Sequence, residues 1–206
     1  MDVYSLYDPS ENDPYEIPGS SCLLNLLGLT NTADLNAAEQ QITKATLADL
    51  AAHPEEPTFD LDHLIRIHRR IFDQIYPFAG EIRTIDFGKG DILFLPQHLI
   101  DREADACFAS LHTEHLLRDV PEQDYGARLA FYLGWINKIH PFREGNGRTQ
   151  RILIDQLAAL RGFGVEWSAI SGDAMGAACR AARVREPDFL PLQKLLSINL
   201  VQLIVE

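Results

Sequence analysis

Along most of the chain apolar residues recur every three or four positions, and short breaks rich in proline and glycine separate these stretches. TNTADLNAAEQQITKATLADLAAH sets Leu35, Ile42, Leu47 and Leu50 at helical spacing behind the capping residues Thr32 and Asp34. DLDHLIRIHRRIFDQIY repeats the pattern with Leu61, Leu64, Ile65, His68, Ile71, Phe72 and Ile75. Between Pro77 and Pro96 the period changes. There TIDF and DILFL flank Gly88-Lys89-Gly90, which predicts a hairpin of two short strands. Beyond Pro96, helices are expected near 97–117, 122–139, 147–161, 167–184 and 187–204, separated by Pro121, Gly145-Asn146-Gly147, Gly162-Phe163-Gly164 and Pro187. The first 20 residues, with three prolines and Gly19, are expected to be extended. The pattern predicts one all-α domain over residues 1–206 with a single β-hairpin at about 82–96.

Composition narrows the function classes. Thirty acidic and 18 basic residues give a net charge of −12, so a broad nucleic-acid surface is not expected. A local seat for one phosphate-bearing ligand remains compatible with that charge. No apolar run approaches the roughly 20 residues of a membrane span. MDVYSLYDPSENDPYE lacks the basic start and apolar stretch of a secretory signal, so a cytoplasmic protein without membrane contact is expected. The abrupt end at Ile204-Val205-Glu206 leaves room for a longer parent chain. Cys22, Cys107 and Cys179 are far apart in sequence and read as free thiols.

Chemistry concentrates in HPFREGNGRTQR, residues 140–151. His140 ends the stripe of Leu129, Leu133 and Ile136, and alone it reads as a core or capping histidine. Gly145-Asn146-Gly147 can take positive φ angles that turn successive amides toward one point, and a helix starts directly after. Free amides at a helix start make an anion site. Arg148 and Arg151, one turn apart, face the same way, and a cation in the first helical turn is misplaced unless an anion offsets it. A plain helix start with solvated arginines is the bland alternative. Glu144 beside a polyphosphate suggests an intervening Mg²⁺, and His140 could take a proton from a hydroxyl. Together these parts suit phosphoryl or nucleotidyl transfer.

The run matches the Fic-family signature H-x-F-x-[DE]-G-N-G-R-x-x-R at every fixed position, and the chain resembles that family over most of its length. The resemblance extends to IYPFAGEIRTIDFGKGDILFLP, where Fic proteins carry a flap, and to DPYEIPGSS with its following helix, which is similar to the front of bacterial Fic toxins. It implies the Fic fold, with AMP moved from ATP to a Tyr, Ser or Thr hydroxyl of a target protein. On this chain it makes His140 the general base and Phe142 the loop's anchor. Glu144 becomes the Mg²⁺ ligand, and Gly145, Asn146 and Gly147 the phosphate cradle, with the Asn146 side chain near the α-phosphate. Arg148 and Arg151 then hold the β- and γ-phosphates. The flap residues Lys89, Ile92, Leu93 and Phe94 are expected to dock the target by strand addition, although packing on the helices explains the apolar run Ile92-Leu93-Phe94-Leu95 equally well and Lys89 suits nucleotide or target alike.

Many Fic enzymes carry an inhibitory [ST]-x-x-x-E-[GN] helix. Here only Glu11 and Glu144 precede Asn or Gly, and Tyr7 and His140 stand four residues before them. The pattern is absent, which is similar to the toxin branch restrained by a separate small helical antitoxin docking beside Arg151. By the same analogy the targets are type II topoisomerase subunits. Transfer of the γ-phosphate, as in Doc, a non-catalytic nucleotide-binding module and a helical interaction module stay open. Gly147 favours the AMP-transferring orientation.

Overall fold

The computed structural model describes residues 13–89, 92–184 and 187–203, with Lys89 and Ile92 described by their backbone. The expected extended stretch at 1–12 lies outside the described residues, and 13–24 form turns tied by a bridge between Glu16 and Leu23.

Asn31, rather than Thr32, caps α1 (Thr32–Ala52) by accepting from the amides of Ala33 and Asp34. Asp60 caps α2 (Leu61–Phe72) through the His63 amide, and the helix buries Leu64, Ile67, His68, Ile71 and Phe72 on one face. The other helices are α3 (Ile100–Thr113), α4 (Glu122–Ile139), α5 (Asn146–Ala159), α6 (Gly172–Ala181) and α7 (Leu190–Asn199). Central α4 packs against α3, α5 and α7. Gly126 permits the close approach of α7, since a Cβ there would lie 2.7 Å from the Ser197 Cα. α2 packs on α5, which brings a buried helix face under the loop joining α4 to α5.

The fold is predominantly helical, as the apolar spacing predicts, with two small sheets rather than one hairpin. β1 (Gly88–Lys89) pairs antiparallel with β2 (Ile92–Leu93), so Gly88 and Lys89 belong to a strand rather than to the turn expected at Gly88-Lys89-Gly90. β3 (Phe163–Val165) pairs with β4 (Leu200–Gln202), in a stretch expected to be helical. The start of α6 also moves, to Gly172, because Ser171 accepts from the Ala174 amide and caps the helix there. Among the described residues no helix is long and apolar enough to cross a membrane.

Candidate active site

The loop from His140 to Gly145 joins the end of α4 to the start of α5, and each end is fixed by backbone geometry. His140 closes α4 in the left-handed region (φ 49°, ψ 62°), its amide still bonded to the Ile136 carbonyl. A non-glycine residue there costs about 1–2 kcal/mol, the kind of strain that gathers at working sites. Gly145 caps α5 with φ 80°, and a Cβ on it would lie 2.2 Å from the Phe72 ring. Only glycine fits there.

Between these ends the loop is pinned from below. Phe142 is buried and stacks on His68, centroids 3.8 Å apart. His68 Nδ1 accepts from the Gly80 amide at 2.8 Å, which leaves the proton on Nε2 to donate to the Glu144 carbonyl at 2.9 Å. Burial is the main force holding the His68 pKa down to about 4, so the ring is neutral. The Asn146 side chain clamps the loop to itself, accepting from the Phe142 amide (3.0 Å) and donating to the Phe142 carbonyl (2.7 Å).

His140 Nδ1 lies 3.3 Å from the Asn137 carbonyl, an acceptor, which places the proton on Nδ1 and the lone pair on Nε2. The ring lies flat against Phe94 from the flap, centroids 3.5 Å apart, and the Arg183 guanidinium stands 4.3 Å from the Phe94 centroid. The His140 carbonyl accepts from Arg83 Nε at 2.8 Å. Fully buried Arg83 also donates to the carbonyls of Ile85, Ile139 and Leu95, and so stitches both arms of the flap to the end of α4.

On the α5 side, the amides of Asn146 and Gly147 have no protein acceptor among the described residues, whereas those of Arg148 and Thr149 already bond the Gly145 carbonyl. Gly147 has open space where its Cβ would be. Arg151 has no carboxylate within ion-pair distance among the described residues, and burial, then the charge of Arg148, lowers its pKa from the usual value. A desolvated cation lining the same cavity as two amides unpaired among the described residues favours an anion. Asp155, one turn further along α5, accepts from Trp167 Nε1 through both oxygens at 2.8 Å, and burial raises its pKa to about 6.

His140, Glu144, Asn146, Gly147 and Arg151 line one cavity of about 1440 Å³, which also meets Arg180 and Arg183. That exceeds the roughly 300–1,000 Å³ of a typical small-ligand pocket, leaving room for a second participant. Among the described residues no three His, Cys, Asp or Glu side chains cluster as metal ligands. Glu144 nevertheless suits a shared Mg²⁺: Oε1 takes the Gly145 amide at 2.8 Å and Arg148 at 3.4 Å, and Oε2 has no protein partner among the described residues. One carboxylate oxygen plus ligand phosphates and water matches how Mg²⁺ is held.

Of the residues singled out in the sequence, His140, Glu144, Gly145, Asn146, Gly147 and Arg151 meet at the cavity, and Leu93 and Phe94 form its flap wall. Four details depart from expectation. Arg148 does not line the cavity; its Nη1 pairs with Glu39 at 2.7 Å. The Asn146 side chain faces Phe142 rather than a ligand, and Gly147 is helical, so only Gly145 has positive φ in the turn. Phe94 packs face-on against His140 and is buried, so its ring is not presented to an incoming strand. Lys89 and Ile92 are register partners in the hairpin. Sequence reasoning missed Arg83, Asp155, Trp167 and Glu39, and took His68 as structural without its bond to the loop. EIRTIDF alternates apolar and polar residues, so nothing local marks Arg83 as buried.

The Fic/DOC family matches residues 58–158. The chain is 34% identical over 164 residues to protein adenylyltransferase VbhT of Bartonella schoenbuchensis, covering 80% of this chain and 34% of that protein. It is 32% identical over 185 residues to the protein named Probable protein adenylyltransferase Fic of Escherichia coli K12, covering 90% of each. The chain thus spans about a third of the first relative and nearly all of the second. Its fold is similar to the crystal structure of BepC from Bartonella tribocorum with bound AMPPNP, with a TM-score of 0.84, 22% identity, and 92% of this chain and 97% of that one covered.

Proposed function

The chain belongs to the Fic/DOC family, and on that premise we propose that it is a protein adenylyltransferase, moving AMP from ATP to a hydroxyl side chain of a target protein. One observation carries the reading. The amides of Asn146 and Gly147 and the Arg151 side chain, unpaired among the described residues, lie in the first turns of α5, His140 opens the loop before it, and all of them line one cavity. Relatives named as adenylyltransferases, at 32–34% identity, support the same activity.

In this reading the triphosphate rests on the start of α5, where the helix dipole, the two amides and Arg151 meet its charge. Glu144 would hold Mg²⁺ through Oε2, and the ion when bound offsets phosphate charge. The target hydroxyl meets His140 Nε2, which accepts its proton as the oxygen bonds to the α-phosphorus. The bond from the α-phosphorus to the bridging oxygen breaks, and pyrophosphate leaves with the electron pair, stabilised by Arg151. Leu93 and the flap backbone present an edge along which a target segment could lie.

We also take the protein to be the toxin of a toxin–antitoxin pair. Arg151 has no internal carboxylate partner among the described residues, which leaves room for one supplied by a small helical protein. Type II topoisomerase subunits are the first targets to try. The test is incubation with ATP labelled at either the α- or the γ-phosphorus in a bacterial lysate, with and without the partner. Label should pass to a protein from the α position alone. His140→Ala should slow transfer by roughly 10²- to 10⁴-fold while ATP still binds. Transfer from the γ position would overturn the reading in favour of kinase chemistry.

A further inference from the structure

Beneath the loop, four polar side chains from separate parts of the chain form one continuous line. The Tyr76 hydroxyl, just past α2, donates to Glu39 Oε2 from α1. Glu39 Oε1 pairs with Arg148 Nη1 at 2.7 Å, and Arg148 Nη2 reaches Glu144 Oε1 at 3.4 Å. Tyr76 and Glu39 are buried, and Arg148 lies over the Phe72 ring with 4.7 Å from its Cζ to the centroid. A buried carboxylate is costly without partners, and Glu39 has two. The cation in the first turn of α5 is likewise offset, by the two carboxylates rather than by a ligand.

Arg148 is therefore already engaged on the side of Glu144 away from the cavity. We propose that Tyr76 and Glu39 are positioning residues which, through Arg148, hold the Glu144 carboxylate with Oε1 turned inward and Oε2 turned to a divalent cation. The inference rests on Glu144 as the cation's carboxylate, and it moves Arg148 from the phosphates to the support of that carboxylate. Partners of this kind orient metal ligands, and losing them typically weakens metal binding on the order of tenfold or more. Charge points the same way. Glu39, Arg148 and Glu144 together carry one net negative charge, and neutralising Glu39 alone would remove it.

The test separates cation binding from phosphate binding. Mn²⁺ is titrated by electron paramagnetic resonance in the presence of a non-hydrolysable ATP analogue, and analogue affinity is measured separately in EDTA. The double variant Glu39→Gln with Arg148→Met preserves the local net charge. It should weaken Mn²⁺ binding about tenfold and leave metal-free analogue affinity unchanged, whereas Arg151→Met should lower the latter. Tyr76→Phe, which removes one hydroxyl and no charge, should weaken Mn²⁺ binding by a smaller factor, and it carries the test by itself if the double variant fails to fold. Unchanged Mn²⁺ affinity in these variants overturns the proposal. So does a loss of metal-free analogue affinity in the double variant as large as in Arg151→Met, which would make Arg148 a phosphate ligand. If Glu144→Ala leaves Mn²⁺ binding intact, the reading of Glu144 itself fails, and that outcome is distinguishable from failure of the relay.

Discussion

The ring of Phe94 lies parallel to the imidazole of His140 within 12°, with the centroids 3.5 Å apart. A flap residue thus forms the wall against which the proposed base rests. The stack fixes the ring plane, and the Asn137 carbonyl fixes the tautomer. Aromatic pairs are worth about 0.5–1.5 kcal/mol beyond their area. Phe94→Ala should therefore lower kcat roughly two- to tenfold, with a smaller change in the KM for ATP, and Phe94→Leu should fall between. Steady-state rates checked against melting temperature decide it; an unchanged kcat would mean the stack does not place the imidazole.

Two neighbouring glycines should respond oppositely to the same change. Gly145→Ala forces a left-handed alanine into the Phe72 ring, combining about 1–2 kcal/mol of backbone strain with about 1–3 kcal/mol of overpacking. Gly147 is helical with open space around its Cβ position, so Gly147→Ala should raise stability by up to about 1 kcal/mol. Its methyl enters the space by the free amides, so the same variant should bind ATP more weakly. Urea unfolding and nucleotide titration of the pair check both halves.

Much of this site was legible in sequence because it is local. The break between α4 and α5, the cluster at 140–151 and the helical character of α1 and α2 follow from spacing and punctuation over a few residues. What was missed depends on partners far along the chain. Phe163–Val165 becomes a strand only by pairing with Leu200–Gln202, nearly 40 residues on, so no local period marks either. Arg148 looks unpartnered in the first turn of α5 until Glu39 arrives from α1. Asn146 is a local exception: it looks exposed in a Gly-Asn-Gly turn, yet its side-chain amide bonds the Phe142 backbone four residues earlier, a contact that apolar spacing does not mark.

Acid should destabilise the fold through its histidines. His63 and His68 are both held to about pKa 4, mainly by burial, against an ordinary value of 6.5. Between those values the unfolded chain binds more protons, so stability is full above about pH 6.5 and falls as pH drops toward 4. Asp155 opposes this. Its folded pKa, raised to about 6 from 3.8, gives stability that is present below the lower value and lost as pH rises through 6. Two histidines outweigh one aspartate, so the net change on acidification is a loss. Asp155→Asn removes the opposing group while keeping an acceptor for Trp167, and should gain stability at pH 7 and lose it more steeply toward pH 4. Denaturant midpoints at pH 7 and 4.5 give the measurement; a shallower loss in the variant would contradict the sign.

The flap's attachment to the base depends on Arg83. Its guanidinium reaches the carbonyls of Ile139 and His140 at the end of α4 and those of Ile85 and Leu95 in the two arms of the flap. A cation also belongs at a helix C-terminus, where the dipole is negative. Arg83→Met leaves buried carbonyls unpaired at about 1–3 kcal/mol each. Arg83→Lys keeps the charge with three donors but loses the planar fork, so it should recover only part of the loss. Because α4 and α5 keep their own packing, the damage should be local. Exchange of the Phe94 and Leu95 amides, which donate to the Phe87 and Lys138 carbonyls, should quicken well before that of the Leu153 and Ile154 amides within α5. Transfer should fall in step with flap exchange, since Phe94 leaves His140 when the flap detaches. Equal acceleration at all four amides would mean that Arg83 supports the whole fold rather than the flap.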